Sequence, residues 1–361
     1  MGLKTGLVGI SNSGKTTLFN CLSNNKIQTA SYSFQNTKSN ISITYVNDPR
    51  LDEIHKLISA DKKVYATLEI VDIPGLVKGA SYGEGIGNTF LNEVRNMDAL
   101  IYVLRCFEDD LLPHIEGCID PLRDKDIIDL ELQVKDLEQV NRKLQKVEKL
   151  VKSGDRSAKD TYNSLLKFKE ALENFINIRD LELNEIDKNL IKEFAMLTAK
   201  PVFYVLNVDE NSIDGNKYTE NFINSVSNNV LIVSAKIEEE IMRMENENDR
   251  NVFLTEYGLD EPALNKLYKG VYKLLDLITF FTIGGKENRA WNIKNGCTAV
   301  EAAKEIHSDI ARGFIKAEVI SYEDLIQYKS EQACRAAGKV RLEGKNYVVK
   351  DGDILHIRFN V

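Results

Sequence analysis

From residue 3 to about residue 110 the chain alternates short, nearly continuous apolar runs with stretches of helical spacing. The runs are Leu3–Ile10, Ile41–Val46, Thr67–Ile73 and Ala99–Leu104, and two more follow at Pro201–Val208 and Val230–Ser234. Val/Ile/Leu runs without polar alternation predict strands of a parallel sheet covered on both faces. Strands alternating with helices put the chain in the α/β class.

The pattern changes after residue 125. Leu130, Val134, Leu137, Val140, Leu144, Val147 and Val151 step by three and four, which predicts one long amphipathic helix. Lys152-Ser153-Gly154-Asp155 interrupts it, and Leu165, Phe168, Leu172 and Phe175 resume the spacing. Two such helices joined by a polar turn predict an inserted antiparallel α-helical hairpin, coiled-coil-like along its seam. The acidic stretch from Glu238 to Glu261 reads as a surface connection. From Leu277 a smaller α+β unit follows, with strands at Ile278–Thr282, Phe314–Ile320, Val340–Leu342, Tyr347–Val349 and Ile354–Phe359. A capping-box spacing at Thr298 and Glu301 opens a helix between the first two. The expected organisation is a first domain over 1–125 plus 200–277, a helical arm over 126–199 and a last domain over 278–361.

Charge adds one feature. The chain of 361 residues has 47 Lys/Arg against 55 Asp/Glu, a net charge of −8, which argues against broad nucleic-acid binding. Residues 141–160 run against this trend, with seven Lys/Arg and three acids. A solvated face and a docking surface for an anionic partner are both open readings there. Five cysteines without a C-x-x-C pair predict reduced thiols, and no apolar run approaches membrane-span length. The expectation is a soluble, cytoplasmic protein with no membrane partner.

Gly9-Ile10-Ser11-Asn12-Ser13-Gly14-Lys15-Thr16 matches G-x-x-x-x-G-K-[ST] between a predicted strand and a predicted helix. Such a loop turns backbone N–H groups onto phosphate oxygens at a helix N-terminus. The expected cradle is Asn12, Ser13, Gly14, Lys15, Thr16 and Thr17, with Lys15 reaching the β- and γ-phosphates and the Thr16 hydroxyl on Mg²⁺. Asp72-Ile73-Pro74-Gly75 ends the third strand 57 residues after Lys15. Asp72 fits the carboxylate near Mg²⁺, and Gly75 the backbone contact to the γ-phosphate.

A third element is Asn207-Val208-Asp209-Glu210, where translation GTPases carry N-K-x-D. Val208 stands for the lysine and Glu210 for the aspartate that reads guanine, so the guanine reader is broken. Ser234-Ala235-Lys236 matches the S-A-K base loop of the same class.

These motifs together resemble the YchF-type Obg-like ATPases, a branch of the Obg-related P-loop NTPases. The likeness runs through Asp72–Ser81, Gly83–Asn88, Arg105–Asp109 and Asp351–Ile354. The resemblance implies a P-loop G domain, the inserted helical arm and a C-terminal TGS domain of β-grasp type. It also implies ATP in preference to GTP, and ribosomes or translation factors as partners, with ribosomal RNA the anionic one. Asn12 resembles P-loop NTPases that hold K⁺ beside the phosphates, which makes K⁺ a candidate cofactor beside Mg²⁺.

Two positions depart from expectation. Switch I reads Ser33-Phe34-Gln35-Asn36 with Thr37 after it, in place of P-F-C-T. Leu76 stands where Ras-like enzymes place a water-orienting glutamine. His114, in the loop leaving the fourth strand, is the candidate substitute, because imidazole can hold water near neutral pH. A GTPase of the same fold and a nucleotide-gated binding module remain as alternatives to a regulatory ATPase.

Overall fold

The structure is a computed structural model of the chain that describes residues 3–23, 40–74, 86–155, 157–226, 228–244 and 246–360. Its strands among these residues are β1 (Lys4–Val8), β2 (Asn40–Val46), β3 (Lys62–Val64), β4 (Ala66–Asp72), β5 (Ala99–Arg105) and β6 (Val202–Asn207). They continue as β7 (Val230–Val233), β8 (Leu277–Thr282), β9 (Glu287–Lys294), β10 (Phe314–Ser321), β11 (Arg341–Glu343) and β12 (Asp353–Phe359). The chain divides into two compact units, Leu3–Ser42 with Ile70–Leu267, and Ile43–Glu69 with Tyr268–Val361. Each is described by itself.

The first sheet has the order β2-β4-β1-β5-β6-β7. β1 pairs in parallel with β5, β5 with β6 and β6 with β7. Every residue of β5 and β6 is buried, which is why both read as unbroken apolar runs. Chain order runs one way from β1 to β4 and the other way from β1 to β5. The carboxyl end of β1 is therefore a topological switch point, where open α/β sheets bind ligands. The loop Gly9–Thr16 leaves from that end.

The arm begins at the helix Pro121–Lys152, with Asp120 accepting from the Arg123 N–H at 3.1 Å and proline in the first turn. A short turn containing Gly154 in the left-handed region (φ +92°) leads into the helix Ser157–Glu173. Val140, Leu144 and Val147 pack with Ala158, Leu165, Phe168 and Leu172, and Leu190 of the helix Glu185–Phe194 joins them. Both long helices thus turn most of the predicted apolar positions to one seam, while Leu130 and Phe175 of that pattern are exposed. Truncating the fully buried Phe168 to alanine removes a side chain of this seam, at a cost of about 3–5 kcal/mol.

The second unit holds a sheet of order β11-β10-β12-β8-β9-β3. Residues 43–69 and 268–277, read from the sequence as part of the first domain, cluster with this unit. Leu51 and Ile54 of the helix Pro49–Leu57 share a core with Phe281, Ile320 and Leu325. Arg50 lies 5.5 Å over the Phe281 ring and pairs with Asp351 at 2.7 Å. β3 lies parallel to β9, with Lys62 opposite Glu287.

Three expectations change. Residues 238–261 are largely helical, in Ala235–Arg243 and Glu247–Glu256, and Glu238 is buried. Tyr347–Val349 forms only an isolated bridge, Val348 to Thr298. β3 and β9 went unpredicted because their polar, charged sequences pair at and beside a sheet edge.

Candidate functional site

The site is built on the phosphate-binding loop. Asn12 and Gly14 both take left-handed φ values, +66° and +87°, turning the loop back on itself before the helix Lys15–Ser23. The Leu18 N–H closes the first helical bond on the Gly14 carbonyl at 3.0 Å. The amides that precede it in the first turn have no such partner within the helix, which is the general anion-binding property of a helix N-terminus. A side chain is excluded at Gly14: a Cβ there would stand 2.0 Å from the Asn207 amide nitrogen.

Asn207 closes the site from the end of β6. Its Nδ2 donates to the Ser13 carbonyl at 2.9 Å, and its Oδ1 accepts the Ala235 N–H at 3.0 Å. One buried amide thereby ties the phosphate loop to the loop after β7. Val208 is buried, and its N–H donates to the Val233 carbonyl at 2.9 Å. Glu210 pairs with Lys236 at 2.6 Å, and this ammonium holds the Glu210 carboxyl below the usual carboxylate range. The Ser234 hydroxyl accepts the Ile237 N–H at 3.4 Å as the cap of its helix, and Ala235 spends its N–H on Asn207.

Lys15 forms an ion pair with Asp72, both side chains being largely buried (10% and 13% exposed). Asp72 thus stands at the phosphate loop, and a cation already faces it. Among the described residues no group of three or more His, Cys, Asp or Glu side chains could hold a metal alone. The oxygen donors at hand, the exposed Thr16 hydroxyl and the Asp72 carboxylate, suit Mg²⁺, which takes few protein ligands and fills its shell with phosphate and water. Thr16 and Asp72 would hold the ion, which would supply positive charge against the phosphates. Asn12 Nδ2 donates to the Pro113 carbonyl at 3.3 Å.

A cleft of about 610 Å³ runs from Asn12, Lys15, Thr16 and Thr17 to Asn207, Val208 and Glu210. This volume lies within the common range for small-molecule sites. It brings together every described phosphate-loop residue named from the sequence. It also brings in Phe107 and Asp109 of the Arg105–Asp109 stretch, Lys236 of the predicted S-A-K base loop, and Leu112, which sequence reasoning missed. Arg105 places the first of these: its Nε donates to the Phe107 carbonyl at 3.0 Å and its Nη1 to the Leu112 carbonyl at 2.7 Å. An arginine closing a strand of buried residues was the available signal.

His114 does not reach the cleft. Its side chain is 3% exposed, and Nε2 lies 2.9 Å from the buried Asp124 carboxylate. The Glu116 N–H donates to Nδ1 at 3.1 Å, so Nδ1 is the acceptor and Nε2 carries the proton toward Asp124. Burial raises the Asp124 carboxyl above its ordinary value. With both ring nitrogens engaged, His114 is a structural residue, and the expectation that it holds water is corrected. Gly75, Leu76 and the stretch 33–37 lie outside the described residues.

Two family models match the chain: "50S ribosome-binding GTPase" over residues 4–153, and the YchF-GTPase C-terminal model, "Protein of unknown function (DUF933)", over 277–360. A Haemophilus ducreyi protein named "Ribosome-binding ATPase YchF" is 44% identical over 364 residues, covering 100% of both chains. This chain belongs to the YchF family. YchF proteins of the same name from Escherichia coli O157:H7 and Bacillus subtilis are each 43% identical, again over 100% of both chains. The solved structure of the Schizosaccharomyces pombe YchF GTPase superposes with a TM-score of 0.88 at 34% identity, covering 99% of this chain and 98% of that one. The α/β P-loop architecture read from the sequence is therefore that of the YchF fold.

Proposed function

We propose that the chain is a ribosome-associated regulatory ATPase, hydrolysing ATP to ADP and phosphate with Mg²⁺ as a nucleotide-controlled switch in translation or stress response. The observation that carries the choice of nucleotide is the Glu210–Lys236 pair beside a buried Val208. Guanine recognition needs a carboxylate that accepts from N1–H and the amino group. Here the acid is one methylene longer and already engaged by an ammonium, and the lysine of the guanine motif is absent. Adenine asks for no such acceptor. The name "Ribosome-binding ATPase YchF" borne by the bacterial relatives supports the same reading.

In this reading Lys15 binds the β- and γ-phosphates, and Thr16 and Asp72 hold Mg²⁺. Asn12, Ser13, Gly14 and Thr17 complete the cradle. Gly75 contacts the γ-phosphate, and Asn207, Val208, Glu210, Ser234 and Ala235 form the base end. Residues 126–199 form the arm, and 278–361 a TGS domain. With Leu76 in place of glutamine and His114 turned away, the isolated protein turns over slowly, and the ribosome is the expected accelerating partner. The working compartment is the cytoplasm.

A GTPase of the same fold is the second reading, favoured by Asn207 and the retained Ser234-Ala235-Lys236 loop. Competition of ATP and GTP for a fluorescent nucleotide separates the two: ATP is expected to bind at least as tightly. A GTP affinity ten times higher, about 1.4 kcal/mol, overturns the ATP reading. Co-sedimentation with ribosomes that is indifferent to nucleotide would remove the switch.

A further inference from the structure

The root of the arm carries a second cavity, of about 450 Å³, that the nucleotide cleft does not use. Arg95 enters it from the helix Ile86–Arg95, and Lys135, Arg142, Lys143 and Lys146 enter it from the arm's first helix, around Gln139. Among the described residues, the carboxylates paired with these five cations are few. Glu138 is shared between Lys135 at 3.1 Å and Arg142 at 3.4 Å, and Glu193 meets Lys143 at 3.1 Å. The nearby Asp136 attracts Arg95 through space, but its hydrogen bonds go to the Leu197 and Thr198 N–H groups at 3.0 and 2.8 Å and the Thr198 hydroxyl at 2.7 Å.

Arg95 is the informative member. Its Nη2 donates to Gln139 Oε1 at 3.2 Å, while its Nε is buried with no hydrogen-bond partner among the described residues. Gln139 is itself fixed, its amide nitrogen donating to the Phe194 carbonyl at 2.9 Å. The Asp136 carboxylate attracts Arg95 through space, but the side-chain hydrogen bond of Arg95 goes to a neutral amide and one buried N–H is left over, a donor that a bound anion would complete. Guanidinium and ammonium groups converging on one concavity are the donors that phosphate oxygens take.

We propose that this cavity binds a small, multiply phosphorylated anion, with the half-buried Arg95 as its anchor and Lys146 as a rim contact. The convergence of Arg95 with the arm's cations on one concavity of about 450 Å³ favours a small ligand over a polynucleotide, whose contacts would run on along the arm. The lysines nearer the arm's turn, Lys149 and Lys152, are not among the lining residues. The site stands apart from the phosphate loop and goes beyond the ATPase reading.

The test is calorimetric titration with inorganic tripolyphosphate, in magnesium-free buffer, of the full chain saturated with ADP. One saturable site is expected, weakened at least about tenfold by Lys146→Gln and by Arg95→Gln, and unchanged by Lys152→Gln. Lys146 is exposed, so its variant reports on the site even where Arg95→Gln fails to fold. Binding should persist in Lys15→Ala, which separates this cavity from the phosphate loop whatever nucleotide that loop prefers. No saturable binding, or binding lost in Lys15→Ala and kept in Lys146→Gln, overturns the proposal. A short single-stranded RNA that needs Lys146 and resists displacement by tripolyphosphate also overturns it, and assigns the cavity to RNA.

Discussion

The side-chain amide of Asn207 lies directly against Gly14, reaching past it to the Ser13 carbonyl at 2.9 Å. The phosphate loop is therefore held in shape by a residue 194 positions away. Gly14→Ala adds a methyl where the amide already sits and strains a left-handed backbone. It should lower nucleotide affinity at least about tenfold, with a stability loss of about 1–3 kcal/mol. Fluorescent-nucleotide titration and urea unfolding measure the two effects, and an alanine variant that binds normally would show the loop tolerates displacement of Asn207.

Lys15→Ala and Thr16→Ala separate phosphate from metal. Lys15→Ala should weaken binding at least about tenfold with or without Mg²⁺. Thr16→Ala should mainly erase the gain that Mg²⁺ brings. Lys15→Ala also leaves the largely buried Asp72 without its cation, so the nucleotide-free variant should be the less stable of the two. Unchanged hydrolysis in either, with a native circular dichroism spectrum, contradicts the assigned roles.

Glu210→Asp shortens the acid toward the guanine-reading length but leaves Val208 in place. Guanine selectivity should rise by less than about tenfold, read as the ratio of GTP to ATP inhibition constants. A full switch to GTP from this single change would mean that acid length alone sets the choice.

Glu238 supplies a pH dependence. It is 1% exposed, accepts the Ala263 N–H at 2.6 Å, and keeps its other oxygen buried without a partner. Burial raises its carboxyl from 4.5 to about 7. Between those values the folded chain keeps a proton that the unfolded chain has released, so stability falls as pH rises through the window and levels off above it. Glu238→Gln keeps an oxygen for Ala263 and removes the charge. Its urea midpoint should change less between pH 5 and pH 8 than that of the parent, a relative gain of about 1–3 kcal/mol at the higher pH. Identical pH slopes would rule the group out.

The arm's turn carries Lys149, Lys152 and Lys159, all exposed. Reversing them to glutamate should weaken ribosome co-sedimentation and flatten its dependence on salt, with little change in isolated ATP turnover. Undiminished sedimentation at low and moderate salt would make the arm a packing element only. The contact would then lie in another surface, with residues 326–361 and their seven Lys/Arg against four acids next in line.

What could be read from the sequence was whatever spacing encodes. Lys15 and Asp72 were legible because loop, strand and helix fix where each side chain emerges. The arm was legible because Val140, Leu144 and Val147 keep one helical face. The Glu247–Glu256 helix was missed because Leu254 is the one residue of it that is buried, so it shows little periodicity. His114 was misjudged because a loop has no period, and Asp124, its partner, is placed by the start of the next helix. Lys236 was legible as part of Ser234-Ala235-Lys236, but its pairing with Glu210 was not, and Phe107 and Leu112 reach the cleft only through tertiary placement by Arg105. Strand β3 was invisible for a related reason: Lys62-Lys63-Val64 matches no strand pattern until Glu287-Asn288-Arg289 lies beside it.

That last pairing sets a timetable for synthesis. Lys62 and Glu287 are separated by 225 positions, so the strand emerges from the ribosome long before its neighbour exists. At roughly 5–20 residues per second the wait is about 10–45 s. Through that interval the nascent chain exposes the helix Pro49–Leu57, with Leu51 and Ile54 bare, until Phe281 and Ile320 arrive to cover them. Completion of the last unit is thus a clock that runs nearly to the end of translation. A chain stalled before residue 287 leaves the ribosome with that early segment still uncovered and open to capture by chaperones or proteases.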